Sequence, residues 1–182
     1  SAISSITRIS NTTSFAGLNL LNGSLGYITS GVATSAIPQL DITQANFGTQ
    51  STIPVDIDVV HSAQTAALQF RGSSIVSSVT LEISGNQGAQ TLSFASGTTA
   101  SAIAFAVNRI SDSTGVSAGL INSAAPNSGI VLTSTDYGSS NFVSVQAQSG
   151  TFATTDVNGN AEGRDVGKDI VANVNGALTT GD

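Results

Sequence analysis

The chain has 182 residues and no cysteine, methionine or tryptophan. Without cysteine there is no disulfide, no thiolate nucleophile and no cysteine-ligated metal, so its sheets must hold by packing and hydrogen bonds. Without methionine the sequence does not start on a translated initiator, and an excised piece of a longer protein is the simplest expectation. Charge is scarce: 9% of residues are Asp, Glu, Lys or Arg, far under the roughly 25% of an ordinary soluble domain. The few bases, Arg8, Arg71, Arg109, Arg164 and Lys168, are scattered through a chain of net charge −6. No positive stripe forms for a phosphate backbone, which argues against nucleic acid. No apolar run approaches the roughly 18 residues of a membrane span, and no basic segment followed by an apolar one opens the chain. With two tyrosines as well as no tryptophan, platforms for stacking sugars are few.

Hydrophobic residues, at 40%, suffice for the core of one ordinary domain or two small ones. Their sharpest pattern lies between Val79 and Phe94, where apolar and polar residues alternate on both sides of Gly85-Asn-Gln-Gly88. That alternation predicts strands over 77–84 and 89–95, with Val79, Leu81 and Ile83 on one face and Leu92 and Phe94 covering them. Thr98 or Thr99 can cap a following helix. The helix presents Ile103, Ala106, Val107 and Ile110 as an apolar stripe, expected to pack against Leu81, Ile83 and Phe94. Asp112 to Gly115 ends it, and Val116–Ile121, Gly129–Thr133 and Asn141–Ala147 read as three more strands. The order strand, strand, helix, strand, strand, strand argues for an α+β fold, mostly antiparallel β with a short helix on a small sheet.

The flanks are less patterned. Ile3, Ile6 and Ile9 are spaced as on the last turns of a helix, and Phe15, Leu18, Leu20 and Leu21 anchor an irregular segment over 14–26. Gln39 to Ile42 is a candidate short strand. Val55, Ile57 and Val59 alternate with Asp56 and Asp58, which predicts a half-buried strand, while residues 62–70 suit either its extension or a helix. Residues 151–168 read as a polar linker. Ile170, Ala172 and Val174 alternate before the turn pair Asn175-Gly176, and the partner of that strand is expected beyond Asp182. The domain division that follows is 1–70, an inner remnant and transition; 71–152, the hairpin-helix module; and 153–182, a linker and the first strand of a further module.

Candidate sites are few. His61 is the sole histidine and lies at a strand end, which suits a structural or exposed role. No Gly-x-Ser-x-Gly elbow frames a serine beside it, and one histidine cannot build a His-rich zinc site. Asp56 and Asp58, two apart on a strand, form one solvated face and not the opposed carboxylates of a glycosidase. Asp156, Asn158, Asn160 and Glu162 place oxygens at alternate positions as a calcium loop does. Ala161 stands where that loop needs glycine, however, and Gly167 where it needs the bidentate acid. The Gly85–Gly88 turn lacks the lysine and hydroxyl of a phosphate loop. No catalytic, cofactor-binding or metal-binding residue emerges, and the chain is expected not to be an enzyme.

Two stretches resemble known sequences. Arg8, Ile9, Asn11, Thr12, Thr13, Phe15, Gly17, Leu20, Leu21 and Gly23 resemble the run that closes the N-terminal helical region of bacterial flagellin, with Ala16 and Asn22 replacing an asparagine and an aspartate. Residues Thr80 to Ala118 and Leu132 to Val145 resemble the flagellin hook IN motif. The marks are Gly85, Gly88, Ser93-Phe94-Ala-Ser-Gly97, Ile103, Val107-Asn108, Thr114-Gly115-Val116 and Ala118, then Leu132-Thr-Ser134, Tyr137-Gly138 and Phe142-Val143. Asp169 to Gly176 resembles a strand that often follows that motif. The resemblance implies an extracellular structural subunit of the flagellar filament whose partners are other flagellin subunits. A hook–filament junction protein and an adhesin-like carbohydrate-binding surface domain are the alternatives. The terminal polymerisation helices of that family are missing from the sequence, which implies a monomeric outer piece without cofactor, metal, nucleic acid or membrane.

Overall fold

A computed structural model describes Ile3, residues 14–15, 18–19, 27–33, 37, 40 and 42–181. The chain divides into two compact units, Ser1–Ile53 and Pro54–Asp182. In the first, β1 (Ser14–Phe15) pairs antiparallel with β2 (Leu18–Asn19). The Tyr27 ring stacks on Phe47 with centroids 6.0 Å apart, and its hydroxyl accepts the Ala45 N–H at 2.7 Å. Leu40 and Ile42 are outside any strand. Most of the flagellin-like run falls outside the described residues, as do Ile6, Ile9, Gln39 and Asp41.

The second unit holds three antiparallel sheets. In chain order its strands are β3 (Ile57–His61), β4 (Ala67–Phe70), β5 (Val79–Gly85), β6 (Gly88–Phe94), β7 (Val116–Leu120), β8 (Ile130–Ser134), β9 (Phe142–Ser149), β10 (Arg164–Val166), β11 (Ile170–Val174) and β12 (Ala177–Gly181). They assemble as β10–β9–β5–β6, β4–β8–β7 and β12–β11–β3. The β5–β6 hairpin forms as its alternation demands: Val79, Leu81 and Ile83 are buried, and Leu92 and Phe94 pack half-buried against the same core. Within residues 62–70 only Ala67–Phe70 is strand, β4, which pairs with β8 in a different sheet from β3, so neither the extension of the preceding strand nor the helix forms.

Helix α1 (Ala100–Asn108) starts where the Thr99 hydroxyl accepts the Ala102 N–H at 3.3 Å, satisfying one of the free donors of the first turn. It buries Ala100, Ile103, Ala104 and Val107. Its nearest strands are β7 and β8, not the β5–β6 hairpin expected to receive it, although all share one core with Leu81, Ile83, Ile130 and Leu132. A second short helix, α2 (Ser111–Thr114), follows and stops at Gly115, whose φ of 73° is the left-handed value that favours glycine. Gly129, at φ 100° and ψ −166°, leads into β8 so close to the Phe70 carbonyl that any Cβ would collide with it.

Two expectations are corrected in the third sheet. β3 is not half-buried: every residue of it is exposed, as is β12 throughout, and burial in this sheet is confined to the central strand at Ala172. The β11 strand does not await a partner beyond the chain. It is the central strand, with β12 folded back on one side through the Asn175-Gly176 turn and β3 on the other. The turn is left-handed at both residues, φ 51° and 82°, as a two-residue hairpin loop requires.

Candidate functional site

The candidate residues do not converge. His61 closes β3 opposite Val171, exposed to solvent. Asp58 pairs with Asn173 within the same sheet. Asp56 precedes β3 and works through its backbone. Its N–H donates to the Asn175 side-chain oxygen at 2.8 Å, and its carbonyl accepts the Asn175 N–H at 2.9 Å. Among the described residues no serine or carboxylate side chain hydrogen-bonds to His61, so the relay that would activate a nucleophile is not assembled.

The Asp156 loop has a definite geometry. The carboxylate accepts four N–H groups: the Asn158 and Asn160 backbones, each at 2.8 Å, the Asn160 side chain at 2.8 Å and the Asn158 side chain at 3.4 Å. The Asn160 side-chain amide does most to hold the Asp156 carboxyl below the usual carboxylate range, with the other donors adding to it and partial burial opposing. Donors point inward at the oxygens a cation would need. Glu162 is held through its backbone, its N–H donating to the Thr154 carbonyl at 3.0 Å. Among the described residues no cluster of three or more His, Cys, Asp or Glu side chains could hold a metal ion.

A shallow depression of about 340 Å³ lies beside this loop, lined by Val145, Phe152, Thr154, Ala161 and Glu162 among others. Phe152 is not free to stack on a ligand with both faces, since Phe70 covers one at a centroid distance of 4.2 Å. Glu162 is the sole carboxylate on its wall, with no second titratable group beside it. The Gly85–Gly88 turn is likewise engaged in packing, with the Gln87 N–H directed at the Thr114 carbonyl at 3.4 Å.

Residues 80–136 match the flagellin hook IN motif. The match spans about a third of the chain. On the fold, the hook IN motif takes in nearly all of the β5–β6 hairpin, both helices, β7 and β8. It therefore supplies Leu81, Ile83, Ile103, Val107, Ile130 and Leu132 to the core. Tyr137-Gly138 and Phe142-Val143 lie past its end. No curated protein sequence matches the chain. Among solved structures, the D2–D3 domains of the flagellar cap protein FliD from Escherichia coli are similar in fold. Their TM-score is 0.54 at 23% identity, over 73% of this chain and 76% of that one. A D1–D2–D3 structure of FliD from Escherichia coli gives 0.49 at 24% identity, over 69% of this chain and 42% of that one. FliD from Pseudomonas aeruginosa PAO1 gives 0.46 at 21% identity, over 73% and 69%.

Three residues whose side-chain roles are not legible in the sequence organise the surface around the motif. Asn108, at the end of α1, uses its side-chain amide as a false strand: it donates to the Ala118 carbonyl at 2.8 Å and accepts the Ala118 N–H at 2.7 Å. Asp165 takes the Ala67 N–H at 2.7 Å along the outer side of β4. Asn175 ties the β11–β12 turn to the start of β3. Val107-Asn108 belongs to the residues that carry the resemblance, so the signal for Asn108 existed; its role needed the helix end placed beside β7.

Proposed function

We propose that the chain is the outer, surface-forming segment of an extracellular flagellar structural protein, and that it contributes shape and stability rather than chemistry. The observation that carries this is the hook IN motif, which supplies the greater part of the core of the second unit instead of hanging from it as an appendage. The filament subunit is the first assignment, supported by the flagellin-like run from Arg8 to Gly23. Its partners are then neighbouring flagellin subunits. The cap protein is the second, favoured by the likeness in fold to the FliD D2–D3 domains.

The two assignments separate genetically. The complete gene that encodes this chain is expressed in a strain lacking its filament subunit and, separately, in one lacking its cap protein. Filament growth seen by electron microscopy in the first strain supports the filament subunit. Renewed polymerisation of the strain's own flagellin in the second supports the cap. Growth in neither, with the protein exported and folded, overturns both.

A further inference from the structure

Hydrolysis of a folded chain needs a stretch that a protease can take up in extended form, with its side chains in water and its backbone groups unengaged. Residues 51–55 meet this requirement. They follow a turn closed by the Gln50 N–H, which donates to the Phe47 carbonyl at 2.8 Å, and they lead towards β3. All five are exposed and outside any helix or strand, and none hydrogen-bonds to a described residue. Ile53 is 41% exposed and Val55 61%. Pro54 biases Ile53 towards the extended region and its ring fixes its own φ at a value compatible with extended chain. An aliphatic residue, a proline and a small aliphatic residue thus stand open to solvent in sequence.

We propose that the Val55–Asp56 peptide bond is a cleavage site for a serine protease whose primary pocket is small and apolar, the elastase type. Val55 fills that pocket, and Pro54 and Ile53 lie along the adjoining cleft. The protease serine attacks the Val55 carbonyl carbon, the Asp56 nitrogen takes a proton and leaves as an amine, and water then releases the Val55 carboxylate. Other specificities find less to hold. No lysine or arginine stands between Arg8 and Arg71, so a trypsin-type pocket has no residue to bind in this segment. Phe47, the nearest aromatic before it, is stacked on Tyr27. Ile28 is 97% exposed, but the Tyr27 beside it is held in that same stack. The bond is gated on its far side. The Asp56 N–H donates to the Asn175 side-chain oxygen at 2.8 Å, and the Asp56 carbonyl accepts the Asn175 N–H at 2.9 Å. This clasp must open before the protease can seat both sides of the bond, so the cutting rate follows the population of a local opening. The cut falls ahead of the packed core, whose cluster begins at Ala66, so Asp56–Asp182 keeps that core whole.

The test treats the whole chain with a trace of neutrophil elastase and reads the products by mass. The first products should be Ser1–Val55 and Asp56–Asp182, the latter still melting cooperatively by circular dichroism. Val55→Arg separates access from pocket preference, because the side chain is exposed and its exchange leaves the core alone. Elastase cleavage at this bond should fall at least about tenfold in Val55→Arg, and trypsin should now cut after position 55 before any other bond. Asn175→Gly keeps a residue at ease with the left-handed φ of the turn and removes only the side-chain acceptor. It should speed elastase cleavage about fivefold, the effect of one net hydrogen bond lost from the closed form. A first elastase cut at another bond, or no trypsin cut after position 55 in Val55→Arg, would overturn the site. An unchanged rate in Asn175→Gly would overturn the gate.

Discussion

Ile103 is fully buried on α1, and its truncation measures how far the helix is integral to the core. Ile103→Ala deletes three carbons, worth roughly 2.4 kcal/mol at about 0.8 kcal/mol per buried methylene. The site is walled by α1 itself and by the strands beneath, so it cannot collapse fully, and the residual cavity adds to the loss. The total should fall at about 3–4 kcal/mol, within the range of roughly 2–5 for such changes. With a urea slope of about 1–3 kcal/mol/M, the midpoint should drop by about 1–4 M while the slope stays constant. Phe105 sits on the opposite side of the same helix and is 67% exposed. Phe105→Ala should shift stability by less than about 0.5 kcal/mol. Equilibrium unfolding followed by circular dichroism reads both. An Ile103→Ala melt within about 0.5 kcal/mol of the parent would refute the packing derived for α1.

Gly129→Ala forces a side chain into backbone territory that only glycine occupies and against the Phe70 carbonyl, so a loss of about 1–3 kcal/mol or more is expected in the same assay. Because the folded Asp156 carboxyl titrates below its unfolded value, its stabilisation of the 156–160 loop is present at neutral pH and is lost as pH falls through that lowered value. Asn160→Ala should move this transition to higher pH in an NMR titration of the Asn158 amide, and an unmoved transition would refute the assignment. Calcium added to the same sample should leave the Asn158 and Asn160 signals in place, since four N–H donors already hold the carboxylate; a saturable shift would refute that.

Legibility in the sequence followed the reach of each interaction. The β5–β6 hairpin and the Thr99 cap are decided within a few residues, by alternation around Gly85–Gly88 and by one hydroxyl before an apolar stripe, and both are present. The burial of Ala100 and Ala104 was passed over because alanine is compatible with either face of a helix. The β3 pairing was unreadable for a different reason. Val59 meets Ala172 across a separation that no local pattern encodes, and β3 is exposed throughout although its alternation suited a half-buried strand. The same holds for Asn108, whose amide reads as ordinary helix-end polarity until the fold brings Ala118 alongside.

The β12–β11–β3 sheet also sets a mechanical load path. Ile57 lies at the turn end of the sheet, opposite Val174, and Gly181 at the far end, opposite Ile170. Tension applied at these two points pulls β3 and β12 in opposite directions along their own axes. Antiparallel hydrogen bonds run across the strands, so such a pull stresses the whole ladder in shear at once instead of opening it rung by rung. The Asn175–Asp56 clasp sits at the end where peeling of β3 would begin. Tension between these two points would thus be borne by this three-stranded sheet, leaving the packed hairpin and helix unloaded.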